Sequence, residues 1–293
     1  MQRKHFIKSI IAGGLGMTGL SAFNKFTGSL PHDGNLMPVL FIGHGSPMNG
    51  IEDNEFSRRW KKMAQEIPVP KAVLVVSAHW FTNGTQITAM DFPKTIHDFG
   101  GFPQALFDVQ YPAPGNPVLA KETVDIIKSA KVELDHDWGL DHGTWTIVRH
   151  MYPDANIPVL QLSIDYSKGP QYHYDLGKEL YELRKKSVLI IGSGNMVHNL
   201  RMIAWDKMNT DNYGFDWAVQ MNDTFKNLIS DGNHQPLINY TGFGTAGKLA
   251  IPTPEHYLPL LYTLSLQSGN DKAEFFNDKA VAGSLTMTSV KIG

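Results

Sequence analysis

The sequence predicts a single α/β domain built on a mostly parallel or mixed central sheet. Three observations carry this. Short, continuous apolar runs bounded by Gly, Pro or Asn occur at 38–42, 72–77, 158–164 and 187–191. Continuous runs, unlike alternating ones, suit strands covered on both faces. Helical patterns fall between them, the alternation expected of an α/β sheet. No linker, repeat or low-complexity tract divides residues 36–293. The full chain has 293 residues, 42% hydrophobic and 18% charged, which suffices for a sizeable core.

The elements follow in order. The run at 38–42 enters Gly43-His44-Gly45-Ser46-Pro47, where glycines allow a tight turn and a close approach to a ligand and Pro47 stiffens the exit. "NEFSRRWKKMAQEI" (54–67) puts Phe56, Trp60, Met63 and Ile67 on one helical face. The run at 72–77 leads into "SAHW". A helix is expected over 116–132, with Asn116-Pro117 as cap and first turn and Leu119, Val124 and Ile127 facing inward. Further helices are expected over 172–186 and 217–230, on either side of the 187–191 strand that enters "GSGNMVHN". In "AIPTPEHYLPLLYTLS" (250–265), Pro254 and Pro259 bracket His256 ahead of an apolar stretch. Proline is tolerated only in a helix's first turn, so His256 belongs at or just before a helix start.

The first 35 residues read as a leader. "QRKHFIK" supplies positive charge, and "SIIAGGLGMTGLSAF" is apolar but too short and too rich in glycine to form a stable membrane anchor. The pattern resembles a twin-arginine export signal, with Arg3-Lys4 in place of Arg-Arg and Phe6-Ile7-Lys8 following. Residues 1–35 are thus expected to be an export signal and linker, and the protein periplasmic or exported. A loosely docked N-terminal helix is the alternative, in which case the protein is cytoplasmic. The leader holds four of the 26 basic and one of the 28 acidic residues, leaving 22 against 27 and a net charge of −5. That balance gives no electrostatic case for nucleic acid. The absence of Cys excludes disulfides, thiolate metal sites, a Cys nucleophile and a lipoprotein anchor.

Histidine carries the chemistry instead. In open α/β sheets, function gathers just beyond the carboxyl ends of the strands. His44, His79 and His198 each follow a predicted strand, so parallel strands bring all three to one sheet edge. His256 precedes its helix, and His142 lies in "WGLDHGTW", read as a polar loop. One such His is more often a loop residue than a ligand, but three together favour a shared site for a divalent metal such as Zn or Fe. His97, in "TIHDFGGFP", fits a functional loop and a plain turn equally. His5, His32, His150, His173 and His234 lack comparable context and read as surface or packing residues.

"GHGSP", "SAHW", "DFGGFP", "GLDHGTW", "GSGNMVHNL" and "PEHYLPLLY" occur in this order over about residues 37–290. Together they resemble the LigB-type class III extradiol ring-cleavage dioxygenases, in the 4,5-DOPA-extradiol-dioxygenase-like branch. The resemblance implies a layered α/β/α domain that cleaves a catechol-type ring with O2, taking a small aromatic diol as substrate. It implies one divalent metal, Fe(II) for activity or Zn(II) as bound, on His44, His79 and His256. His198 would serve in acid–base chemistry or enter as a fourth ligand, and His142 would line the pocket and assist proton transfer. Glu255 is the competitor for the third ligand position, because two His and one carboxylate are common at non-haem iron. Adjacent residues point in different directions, so only one of Glu255 and His256 reaches the metal.

Two readings of other classes compete. A zinc-dependent hydrolase would use the same histidines and an activated water, and a non-catalytic protein would bind metal or small aromatics without turnover. A Ser46 or Ser193 nucleophile is disfavoured, since no G-x-S-x-G elbow follows a strand. Trp80, Phe99, Phe102 and Trp145 are candidates for an aromatic pocket wall, with core packing as the alternative.

Overall fold

A computed structural model describes residues 36–293. The expected leader, with His5 and His32, lies outside the described residues. In chain order the elements are β1 (Val39–Gly43), α1 (Glu55–Glu66), β2 (Ala72–Thr82), β3 (Thr85–Thr88), α2 (Gln104–Phe107), α3 (Pro117–Ile126), β4 (Val132–Asp135) and α4 (His142–Met151). There follow β5 (Val159–Asp165), α5 (Pro170–Glu179), α6 (Tyr181–Lys185), β6 (Val188–Gly194), α7 (Asp216–Ser230), α8 (Gln235–Ile238) and α9 (Gly244–Ala250). The chain closes with α10 (Leu258–Leu264), β7 (Ala273–Phe276), β8 (Ala280–Val281), β9 (Leu285–Thr286) and β10 (Ser289–Ile292).

Eight strands form one mixed sheet in the order β4-β3-β5-β2-β6-β1-β10-β7. The central four, β5-β2-β6-β1, are parallel, while β3 meets β5, and β10 meets β1 and β7, antiparallel. Helices cover both faces. Val39 and Phe41 pack with Leu74 and Val76 beneath α3, α5, α7 and α10, whereas Leu40 and Ile42 pack with Val73 and Val75 beneath α1 and α4. Successive residues of one strand thus enter two different cores, which is why the central strands read as unbroken apolar runs.

The cap expected at Asn116 forms, and Asn54 supplies another. Asn54 caps α1 through Phe56 and Ser57, and Asn116 caps α3 through the Leu119 N–H. Three expectations are corrected. The helix over 116–132 stops at Ile126, and Val132 begins β4. Glu179 accepts the Lys128 and Ser129 backbone N–H groups, which fixes the exit from α3. The helix over 172–186 is two helices, broken at the fully buried Leu180. Finally, β2 does not end at residue 77. Val76 pairs with Leu162 and Phe81 with Ile164, so residues 77–80 oppose a single residue of β5. His79 therefore sits inside a wide bulge of a continuing strand, not past its end. Among the described residues, no helix is long and apolar enough to cross a membrane.

Candidate active site

Two strand ends, a bulge and a helix approach converge on one point. His44 follows β1, and its backbone N–H donates to the Gly194 carbonyl at the end of the adjacent β6. His256 is brought over that end because position 194 is glycine: a Cβ there would collide with the His256 carbonyl. The Asn195 N–H donates to that same carbonyl (2.9 Å). His79 is held in the bulge by Ser77, whose hydroxyl accepts the His79 N–H and donates to Asp141 Oδ1 (2.7 Å). Gly143 in α4 allows the close approach, since a Cβ there would lie 2.9 Å from the His79 ring.

The ligand atoms of His44, His79 and His256 lie within 4.8 Å of one another. Their hydrogen bonds fix which nitrogen is free. Ser193 gives its one hydroxyl proton to the Gly143 carbonyl (2.6 Å), so it accepts from His44 Nδ1–H (2.9 Å). His79 Nδ1 faces Asp98 Oδ2 at 3.4 Å, and His256 Nδ1 donates to Glu255 Oε1 at 3.4 Å. A proton on His79 Nε2 would instead aim the Nδ1 lone pair at a carboxylate. Each ring thus keeps its proton on Nδ1 and an open lone pair on Nε2. His44 Nε2 and His79 Nε2 face each other at 3.1 Å, two acceptors with no proton between them. Such a donor set fits a divalent cation, and three imidazoles without thiolate suit Zn or Fe.

Burial reinforces this state. Burial, then the neighbouring rings, hold His44 and His79 neutral well below the usual imidazole range. Burial also lowers His256, although Glu255 opposes it. Glu255 itself is pushed down to about 2: burial raises it, but bonds from His256 and Thr253 outweigh that. Glu255 thus stands behind His256 as its hydrogen-bond acceptor, with His256 turned inward.

His198 is anchored by its N–H to the Ala250 carbonyl and by a bridge to Leu285. Its ring stacks on His256, 3.7 Å between centroids and 7° between planes, outside the three-histidine grouping. Burial and the neighbouring His256 push it down to about 3. His142, expected in a loop, instead heads α4 and is buried, with its ring 3.8 Å from that of His79. The correction follows from Asp141, which caps the helix through the Thr144 N–H and so carries residue 142 into its first turn.

Two residues of the site, Asp98 and Asp141, carry no signature of their role in the sequence. Asp98 bonds His142 twice, from the backbone N–H to Oδ1 (2.9 Å) and from Nδ1–H to Oδ2 (2.8 Å). Burial raises the Asp98 carboxyl, yet its bonds from His142 bring it below the usual range. Asp141 is wholly buried among Ser77, Gln161 and α4, and burial followed by Asp98 raises it. Both aspartates lie inside quoted motifs, but nothing in their spacing showed which histidine they would meet.

Of the aromatic candidates, Phe99 lies nearly perpendicular to His142, 5.5 Å between ring centroids, and contacts Phe102. Trp145 is buried with its indole N–H on the Ile96 carbonyl, and Trp80 stacks on Trp138, so both pack the core. His97 bonds the Val109 carbonyl and braces the Phe99 loop. His150, His173 and His234 bond Asn49, Tyr262 and Tyr174 respectively, which accounts for them as packing residues. Ser46 caps a short 3-10 turn and Ser193 is committed to His44, so neither stands as a nucleophile.

The chain is similar to known proteins over nearly all of the described residues. Residues 37–292 match the family described as the catalytic LigB subunit of aromatic ring-opening dioxygenase. The 4,5-DOPA dioxygenase extradiol of Escherichia coli (strain K12) is 49% identical over 88% of this chain and 95% of its own length. The protein of that name from Beta vulgaris is 35% identical over 88% of this chain and 97% of its own. A crystal structure of an uncharacterized Escherichia coli K12 protein superposes with a TM-score of 0.76 at 43% identity, covering 88% of this chain and all of that one. A histidine-lined strand edge and a match across the whole described domain lead to one conclusion: this chain belongs to the LigB family of aromatic ring-opening dioxygenases.

Proposed function

We propose that the chain is a metal-dependent extradiol dioxygenase that opens a DOPA-like catechol with O2. The observation that carries the proposal is the facing pair of Nε2 acceptors on His44 and His79 at 3.1 Å, with His256 alongside. These three would hold one divalent ion, Fe(II) for activity, with Zn(II) competing for the same imidazoles. When bound, the ion supplies Lewis acidity toward the phenolic oxygens and one-electron chemistry toward O2, the second of which Zn(II) lacks. Three neutral imidazoles add no negative charge at the ion itself, and the Asp98 and Glu255 carboxylates stand behind them, so an anionic catecholate is a favoured guest. His198, held neutral by burial, takes the second phenolic proton and returns it later. His142, with Nδ1 committed to Asp98, assists through Nε2. The Phe99 ring beside His142 offers an apolar wall for the aromatic ring. The names of the Escherichia coli and Beta vulgaris relatives support the DOPA-like substrate.

The test is O2 uptake by protein loaded anaerobically with Fe(II), given a panel of catechols that includes DOPA. Stoichiometric O2 consumption with loss of the catechol is expected. Turnover with Zn(II) in the absence of O2 would establish the hydrolase instead, and metal binding without any turnover the binding protein.

The proposal extends to residues 1–35 as an export signal ahead of a catalytic domain over 36–293, which places the enzyme in the periplasm. The basic-then-apolar order of the leader supports it.

A further inference from the structure

Asp98, in the DFGGFP loop, reaches two histidines of the site with one carboxylate. Its place is set by backbone pairing. Thr95 bridges to Leu140, the Ile96 N–H donates to the Leu140 carbonyl (2.7 Å), and the Leu140 N–H donates to the Lys94 carbonyl (2.8 Å). The indole N–H of Trp145 holds the Ile96 carbonyl (2.9 Å). The loop is thereby fastened to the chain on both sides of His142, two residues before Asp98. From there Oδ1 accepts the His142 backbone N–H and Oδ2 accepts its ring Nδ1–H, while Oδ2 also lies 3.4 Å from His79 Nδ1.

Taking the proposed function as its basis, we infer that Asp98 is a positioning residue. It fixes His142 as the Nδ1–H tautomer, keeps Nε2 open to a substrate proton, and ties that ring to the metal-facing His79.

An ionised carboxylate only accepts. Both of its oxygens are taken by donors of the same residue, so His142 is held at its backbone and at its ring, and the ring cannot turn over without losing a bond. An amide of the same shape cannot do this. The His142 backbone N–H requires an acceptor, so the oxygen of an asparagine would stay with it and the amide NH2 would face Nδ1. The ring would then place its proton on Nε2, closing the atom that the reaction uses.

The experiment reads the tautomer directly. Metal-free protein carrying ¹⁵N-histidine is examined by two-dimensional ¹H–¹⁵N imidazole correlation, with His142 assigned by the signal lost in His142→Gln. The Nδ1–H form is expected in the unmodified protein and the Nε2–H form in Asp98→Asn. In the Fe(II)-loaded enzyme, Asp98→Asn should lower kcat about 100-fold or more at nearly unchanged KM, and weaken metal binding about tenfold in chelator competition through His79. Observation of the Nε2–H form of His142 in the unmodified protein would overturn the inference without any variant. So would an unchanged tautomer in Asp98→Asn together with undiminished kcat. The tautomer measurement is independent of turnover, so a protein that opens no catechol would remove the proposed function while leaving the Asp98 result to be read on its own.

Discussion

The ring of His198 lies flat on that of His256, 3.7 Å away and tilted by 7°. The proposed proton carrier is thus packed against one of the three proposed metal ligands without joining the grouping of His44, His79 and His256. The two kinds of histidine should separate experimentally. His198→Ala should keep most of its metal and lose about 10²- to 10⁴-fold in turnover, the usual range for a lost acid–base group. His79→Ala should lose both, because one of three donors is gone. Metal content by atomic emission after anaerobic Fe(II) loading, beside O2 uptake, checks the pair. Equal metal loss in both variants would make His198 a fourth ligand.

Gly194→Ala tests how His256 is delivered. The added methyl would meet the His256 carbonyl, a backbone atom that cannot swing aside. The segment carrying His256 should be displaced, at a cost of about 1–3 kcal/mol in stability. Metal affinity should fall with it, although no donor has been changed. Urea unfolding and chelator competition measure the two effects. Undisturbed metal binding would mean that the segment accommodates the methyl.

His173 makes stability depend on pH away from the site. It is fully buried against Tyr262, and burial pushes its pKa from 6.5 down to about 4. Between those values the unfolded chain takes up a proton that the folded chain refuses. Its contribution is therefore fully kept above pH 6.5 and lost progressively as pH falls toward 4, by up to about 3 kcal/mol. Urea titrations of metal-free protein at pH 7 and 4.5 should show a smaller drop for His173→Gln than for the unmodified chain. Identical drops would assign the dependence elsewhere.

Export is tested by fusing residues 1–35 to a reporter active only in the periplasm. Activity is expected, and Arg3→Gln with Lys4→Gln should abolish it. A reporter retained in the cytoplasm would favour the docked-helix alternative.

The parts that the sequence disclosed share a physical cause. β1, β2, β5 and β6 are buried on both faces, so their runs stand out without any context. β3, β4 and β7 are four-residue edge or near-edge strands, and β4 and β7 are half exposed, too short for a period to declare itself. His44 and His256 were legible because glycine and proline mark their turns. The bulge around His79 was not, because it is defined by the partner strand and leaves no mark in "SAHW". Asp98 and Asp141 were hidden for a related reason. Their partners are chosen by the pairing of residues 94–96 with Leu140 and by Gln161 on β5, contacts made only in the folded chain.

The strand that carries His44 lies between β6 and β10, with Val39 opposite Ile292. Nearly the whole domain must therefore leave the ribosome before β1 gains its second neighbour. A nascent chain stopped short of Ser289 would hold an apolar, unpaired edge immediately beside His44, the first of the three clustered histidines. Frameshifted or nonsense-truncated products should accordingly aggregate through that edge rather than persist as partly active enzyme.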